Sequence, residues 1–148
     1  MQKLKILNTR EIKEISEKIK EQYSCDYDFS EYAVFMNRKN KIYLINKDIG
    51  NIKFDKLRID ALGLYFGEVN VGKVRFSIEG SQIIGEIAEK NVLELDDKQS
   101  RDWMSGIDLD VKTDMEGFVI VKNKEDFLGC GKVVDSKLLN YVPKTRRV

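Results

Sequence analysis

The chain has 148 residues, 42% hydrophobic and 34% charged, a balance that excludes disordered, fibrous and membrane-embedded classes and leaves an ordinary globular protein. Its 26 basic and 25 acidic residues give a net charge of +1, so no molecule-wide field draws it toward a polyanion. It contains no histidine, which removes the commonest general base, nucleophile partner and metal ligand and turns expectation away from an enzyme.

The longest apolar runs, such as Ala33-Val34-Phe35-Met36, fall far short of the roughly 20 residues that cross a bilayer, so no membrane contact is expected. Met1-Gln2-Lys3-Leu4-Lys5 leads into no apolar stretch or cleavage site, so no secretory signal is expected and a cytoplasmic location is. Cys25 and Cys130 lie outside any C-x-x-C pair and read as small buried hydrophobes. No cofactor and no metal site are expected.

The first element is a helix. Asn8 can cap it, Glu11 completes a capping box, and Ile12, Ile15, Ile19 and Tyr23 recur on one face. Tyr32 to Met36 and Lys41 to Asn46 form a hairpin around Asn37-Arg38-Lys39-Asn40, and a second pair, Leu62 to Val69 and Lys73 to Ile78, turns at Asn70-Val71-Gly72. Ser81 then caps a short helix carrying Ile83, Ile84 and Ile87. These elements predict an α/β lobe with antiparallel strands.

From Val92 the rhythm changes. Val92 to Leu95 is a brief strand, Asp96 or Asp97 caps a helix ending near Met104, and Gly106 stops it. Phe118 to Val121 and Leu128 to Val134 are strands around a turn at Lys122 to Asp126. Short strands with one helix predict a small β-barrel, and an α+β chain overall, with residues 1–89 as one domain and 90–148 as the other.

The second half is specific in its residues: Gly117-Phe118-Val119-Ile120-Val121, then Leu128-Gly129-Cys130-Gly131-Lys132-Val133-Val134-Asp135, then Leu138-Leu139-Asn140-Tyr141-Val142-Pro143-Lys144 and Arg146. In this order they resemble the PUA-like domain at the C-terminal end of Nop/Sun-type RNA cytosine-C5 methyltransferases, in which a strand and an L-G-x-G-K strand precede an L-x-N-x-x-P-K-x-x-R ending. Glu94-Leu95 and Ser100 to Gly106 are similar to the opening strand, helix and glycine of PUA domains. The N-terminal half resembles the pre-PUA domain of large-subunit ribosome-biogenesis factors through its first helix, the hairpin at Tyr43, Leu64-Tyr65-Phe66-Gly67-Glu68 and Val74-Arg75-Phe76. The methyltransferases also carry a catalytic domain with a Gly-rich loop and reactive cysteines, and no G-x-G-x-x-G stands between a strand and a helix here. The resemblance therefore implies a non-catalytic RNA-binding protein of rRNA or tRNA maturation, with RNA as its partner and an RNA methyltransferase or a pre-ribosomal particle as companion. A protein-interaction subunit of such a complex, without direct RNA contact, is the competing expectation.

Gly129-Cys130-Gly131 is not a phosphate loop, because Lys132-Val133-Val134 continues it as strand rather than as a helix whose N-terminus could receive phosphate. The glycines either shape the barrel or let an RNA backbone come near. RNA is met by cations at phosphates and by aromatic rings at unstacked bases. From Lys137 to Val148 the chain carries four cations and no acid, so the candidate contacts are Lys132, Lys137, Asn140, Lys144, Arg146 and Arg147, with Gly129, Gly131 and Arg101 beside them. The resemblance points most directly at Lys132, Lys144 and Arg146. Asn140 either bonds RNA or closes a turn, and Trp103 and Tyr141 either stack on bases or belong to the core.

Overall fold

The computed structural model describes residues 4–47 and 63–148 and shows an α+β chain with three helices and two five-stranded sheets among them. Leu62, the expected start of one strand, lies outside the described residues. The first sheet is an antiparallel meander of β1 (Lys5–Ile6), β2 (Tyr32–Met36), β3 (Lys41–Asn46), β4 (Leu64–Asn70) and β5 (Lys73–Phe76), in that order. Helix α1 (Thr9–Tyr23) lies on one face of this sheet. Its start is the expected capping box, with Asn8 accepting from the Glu11 amide and Glu11 accepting from the Asn8 amide, and Ser24 ends it in a left-handed conformation.

Ile15, Ile19 and Tyr23 of α1 bury against Val34, Ile42, Phe66, Val74 and Phe76. Gln22, on the same helix, sends its side chain to β5, where its amide donates to the Val74 carbonyl at 3.0 Å and accepts from the Val74 amide at 2.7 Å. Between β3 and β4 the register slips at Ile42/Tyr43, a bulge that leaves Phe66 and the buried Gly67 both on the helix side. Tyr65 and Glu68 consequently stand on the opposite face, with Tyr65 beside Tyr43 at 5.5 Å between ring centres.

Helix α2 (Ile78–Gly85) follows β5 directly. Its cap is Ser77, whose hydroxyl accepts from the Gly80 amide at 2.9 Å, rather than Ser81. Ser77 sits where the strand ends, so Ile78 joins the helix. Ser81 is fully buried one turn later, its hydroxyl donating to the Ser77 carbonyl.

The second sheet runs β6 (Val92–Glu94), β8 (Gly117–Asn123), β9 (Asp126–Val134), β10 (Lys137–Leu139), β7 (Leu109–Asp110), with β6 parallel to β8 and the remaining pairs antiparallel, and it curls into a half-barrel. Helix α3 (Asp97–Met104) is capped by Asp96 with Gln99 in a capping box, and Gly106 lies just past its end at a φ of +92°. The short strands β1, β7 and β10 have no apolar alternation long enough to declare themselves in the sequence.

Strands β8 and β9 are buried on both faces. Val119, Val121 and Val133 point into the half-barrel with Leu93, Leu95, Leu138 and the fully buried Trp103. Phe118, Ile120 and Cys130 point the other way and join the core of the first sheet. Two-sided burial explains why β8 reads as a continuous apolar run instead of an alternating one.

Candidate nucleic-acid interface

Lys132 lies on β9 directly across from Phe118 on β8, and its ammonium sits 5.5 Å from the centre of the Phe118 ring. The cation thus rides over an apolar surface with its head half exposed. Immediately before it, Gly131 faces the half-barrel: a Cβ there would stand 2.6 Å from the Trp103 ring and 3.0 Å from the Leu139 carbonyl. Gly131 is therefore required by packing. Gly129, at a φ of +137°, lines a cleft between the two sheets with its nearest neighbour, an Ile78 carbon, 3.5 Å from where a Cβ would be.

Cys130, between them, is buried, and burial pushes its thiol up to about 11, so it stays protonated beside the equally buried Tyr23. Trp103 is likewise core. No atom of it is exposed, and its indole N–H finds no partner among the described residues.

The acid-free tail is pinned along its length. Lys137 pairs with Asp110 across β10 and β7 at 3.8 Å, both side chains exposed. Asn140 spends its whole side chain on the backbone: its Nδ2 donates to the carbonyls of Trp103 and Ile107, and its Oδ1 accepts from the Val142 amide at 2.7 Å. Val142 is buried, Pro143 holds a φ of −59°, and Lys144 to Arg146 form one 3₁₀ turn. Arg146 reaches α2 and pairs with Glu79 at 2.7 Å. Arg147 donates to the Val142 carbonyl and covers Gly106, where any Cβ would collide with its guanidinium at 2.4 Å. The last amide, of Val148, donates to the Met104 carbonyl at the end of α3.

Of the nine sequence-derived residues, Gly129 lines the cleft, and these contacts divide the other eight. Lys132, Lys144 and Arg101 make no ion pair among the described residues, whereas Lys137 and Arg146 are held by carboxylates. Asn140, Gly131 and Arg147 have evident work inside the fold. Asn140 can still offer nothing to RNA without releasing the tail.

Sequence reasoning passed over Arg75 and Tyr65. Arg75 alternates with the buried Val74 and Phe76 on β5 and so points away from the core, a signal that was available. Its guanidinium pairs with Glu68 through Nε at 3.0 Å and lies 4.5 Å over the ring of Tyr141. Burial, then the Glu68 charge, pushes the neighbouring Tyr65 phenol up to about 12, so it remains a neutral donor at any working pH.

Residues 90–148 match the family model described as the methyltransferase RsmF PUA domain. Residues 90–148 thus form a PUA-like domain similar to that of RsmF-type methyltransferases. The ribosomal RNA small subunit methyltransferase F of Aeromonas salmonicida (strain A449) is 31% identical over 108 residues, 72% of this chain and 22% of its own length. That of Vibrio vulnificus (strain YJ016) is 26% identical over 121 residues, 82% of this chain and 25% of its own. That of Vibrio campbellii is 24% identical over 143 residues, covering 93% and 29%. The chain thus spans between a fifth and a third of the length of these curated relatives. The alignments exceed the PUA domain in length, so residues of the first sheet share in the similarity. Among the described residues no helix is long and apolar enough to cross a membrane.

Proposed function

We propose that this protein binds RNA through its PUA domain in the course of rRNA or tRNA modification, acts in the cytoplasm, and carries out no chemistry of its own. The observation that carries this reading is the match of residues 90–148 to the PUA domain of a methyltransferase whose relatives are named for ribosomal RNA. A histidine-free chain that aligns with about a quarter of those enzymes is suited to holding substrate for a methyl transfer performed elsewhere. In this reading residues 90–148 are the RNA-binding domain and residues 1–89 its pre-PUA-like companion.

Lys132, Lys144 and Arg101 are the phosphate contacts best placed, being exposed or half-exposed and unpaired among the described residues. Lys137, Arg146 and Arg147 add charge nearby. Titration of labelled rRNA and tRNA fragments by fluorescence anisotropy tests the proposal. Log affinity should fall with log salt at a slope of about −0.7 per contacted phosphate for single strands. The double substitution Lys132→Ala, Lys144→Ala should weaken binding and flatten that slope; unchanged affinity would overturn the assignment.

One observation favours a second reading. Lys137 and Arg146 already have carboxylate partners, which leaves fewer cations for RNA and suits a subunit that docks on a methyltransferase or a pre-ribosomal particle. Recovery of a protein partner that survives nuclease treatment, together with no RNA binding by the purified chain, would establish it instead.

A further inference from the structure

A line of side chains that runs from the first sheet through Tyr141 to β9 alternates cation and ring. Lys41 on β3 holds its ammonium 5.5 Å from the Tyr65 ring on β4, and Arg75 on β5 covers the ring of Tyr141, just after β10, at 4.5 Å. Tyr141 is 6.2 Å from Phe118 on β8, which Lys132 covers from β9. Tyr65, Arg75 and Tyr141 together line the cleft between the sheets, about 490 Å³ counting its open mouth, with Arg146 at its side.

The members differ in what they can offer. Phe118 is buried and serves as a floor, whereas Tyr141 is 36% exposed and Tyr65 and Arg75 are half-buried, so ring faces are accessible at the cleft alone. Glu68 engages Arg75 through Nε and Nη2, leaving Nη1 without a partner among the described residues. That clamp holds the guanidinium over the Tyr141 ring, 4.5 Å from its centre, and it also cancels part of the local charge. Attraction here must come more from stacking than from the charge of the strip.

We infer that this strip takes single-stranded RNA, with an unpaired base stacking at the Tyr141–Arg75 pair and the flanking phosphates met by Lys132 and Lys41. Rings and guanidinium planes serve bases that are free of a duplex, whereas A-form helices are met by shape, phosphate and 2′-hydroxyl contacts that need no ring. The inference rests on the RNA-binding reading above and adds to it a substrate class and a stacking residue.

The test uses the full chain and a labelled oligoadenylate of about 12 nucleotides, within the span of such grooves, against a duplex of equal length. Wild type should prefer the strand. Tyr141→Ala should weaken strand binding about tenfold, the usual size of one lost stacking contact, with an unchanged salt slope, and Tyr141→Phe should bind as wild type. Equal affinity of wild type for strand and duplex, or undiminished strand binding by Tyr141→Ala, overturns the strip. If the lysine double variant loses binding while Tyr141→Ala keeps it, the strip alone falls; if wild type binds neither RNA, both readings fall. Should Tyr141→Ala not fold, photocrosslinking of wild type to a 4-thiouridine strand decides, with a crosslink at the Tyr141 peptide in support and crosslinks elsewhere alone against.

Discussion

The indole of Trp103 lies directly beneath Gly131, so close that a methyl group on that glycine would stand 2.6 Å from the ring. The ring is buried on every side, and the Leu139 carbonyl closes the remaining space. Gly131→Ala should therefore cost about 1–3 kcal/mol by overpacking, read as a lowered midpoint in chemical denaturation. Adding Trp103→Phe should recover part of that loss, since the two sites share one volume. Strict additivity of the two changes would contradict the contact.

Asn140 fixes the tail to the end of α3 by two side-chain hydrogen bonds and braces the tail itself with a third, from the Val142 amide. Asn140→Ala leaves the Ile107 and Trp103 carbonyls and the Val142 amide without it, and should destabilise by about 2–3 kcal/mol. Asn140→Asp should be nearly as damaging, because a carboxylate cannot donate to the two carbonyls. Amide exchange at Val142 and Val148 should accelerate in both variants.

The ending from Leu138 through Asn140 and Pro143-Lys144 to Arg146 was legible as a motif, but its physical reason was not. A sequence shows that Asn140 is followed by a proline and cations; it cannot show that the side chain turns back across 33 residues to Ile107. The same holds for Arg146, whose partner Glu79 lies 67 positions away. Local signals did better: the capping box at Asn8, an aspartate cap at Asp96 or Asp97, the hairpin from Tyr32 to Asn46 and the glycine past α3 all depend on neighbours a few residues apart. Ser77 was missed as a cap because Ser81, one turn on, offers the same chemistry, and nothing local ranks two serines.

Freeing Arg146 should show whether its charge matters to RNA. The Arg146–Glu79 pair is 48% and 36% exposed, so breaking it with Glu79→Gln should cost under about 1 kcal/mol of stability. The same change releases a cation beside the cleft and should tighten RNA binding severalfold at low salt, an advantage that vanishes at high salt. Weaker binding by Glu79→Gln in anisotropy would show that the pair positions rather than restrains the arginine.

Val71 occupies the tip of the β4–β5 hairpin at a φ of +48°, with 95% of its surface exposed and Gly72 following at +76°. A β-branched side chain gains nothing there and strains the backbone, whereas asparagine suits a turn with two positive φ angles. Val71→Asn should stabilise the fold by about 1 kcal/mol, visible as a raised thermal midpoint.

Glu11 is held below the usual carboxylate range first by its hydrogen bond with Lys5, then by the Asn8 amide; Asp97 is held down by Asn123, then by Lys124. Since both values are lower folded than unfolded, the stabilisation is complete above the unfolded values of 4.5 and 3.8 and is lost as pH falls through the folded ones. With no histidine to titrate, thermal midpoints and RNA affinity should stay level from pH 6 to 8, and midpoints should begin to decline only as pH falls to about 4.5 and below. A step near pH 6.5 would be inconsistent with this chain.

The Gln22 amide bonded to both backbone groups of Val74 has a consequence for how copies of this protein meet. Among the described residues strand β5 ends its sheet, and an unguarded rim of that kind invites another chain to zip on. Here the rim is already occupied at its middle by a side chain imitating a neighbouring strand. Recruitment through backbone ladders is closed off at β5, and concentrated samples should resist fibril growth from that side without relying on surface charge.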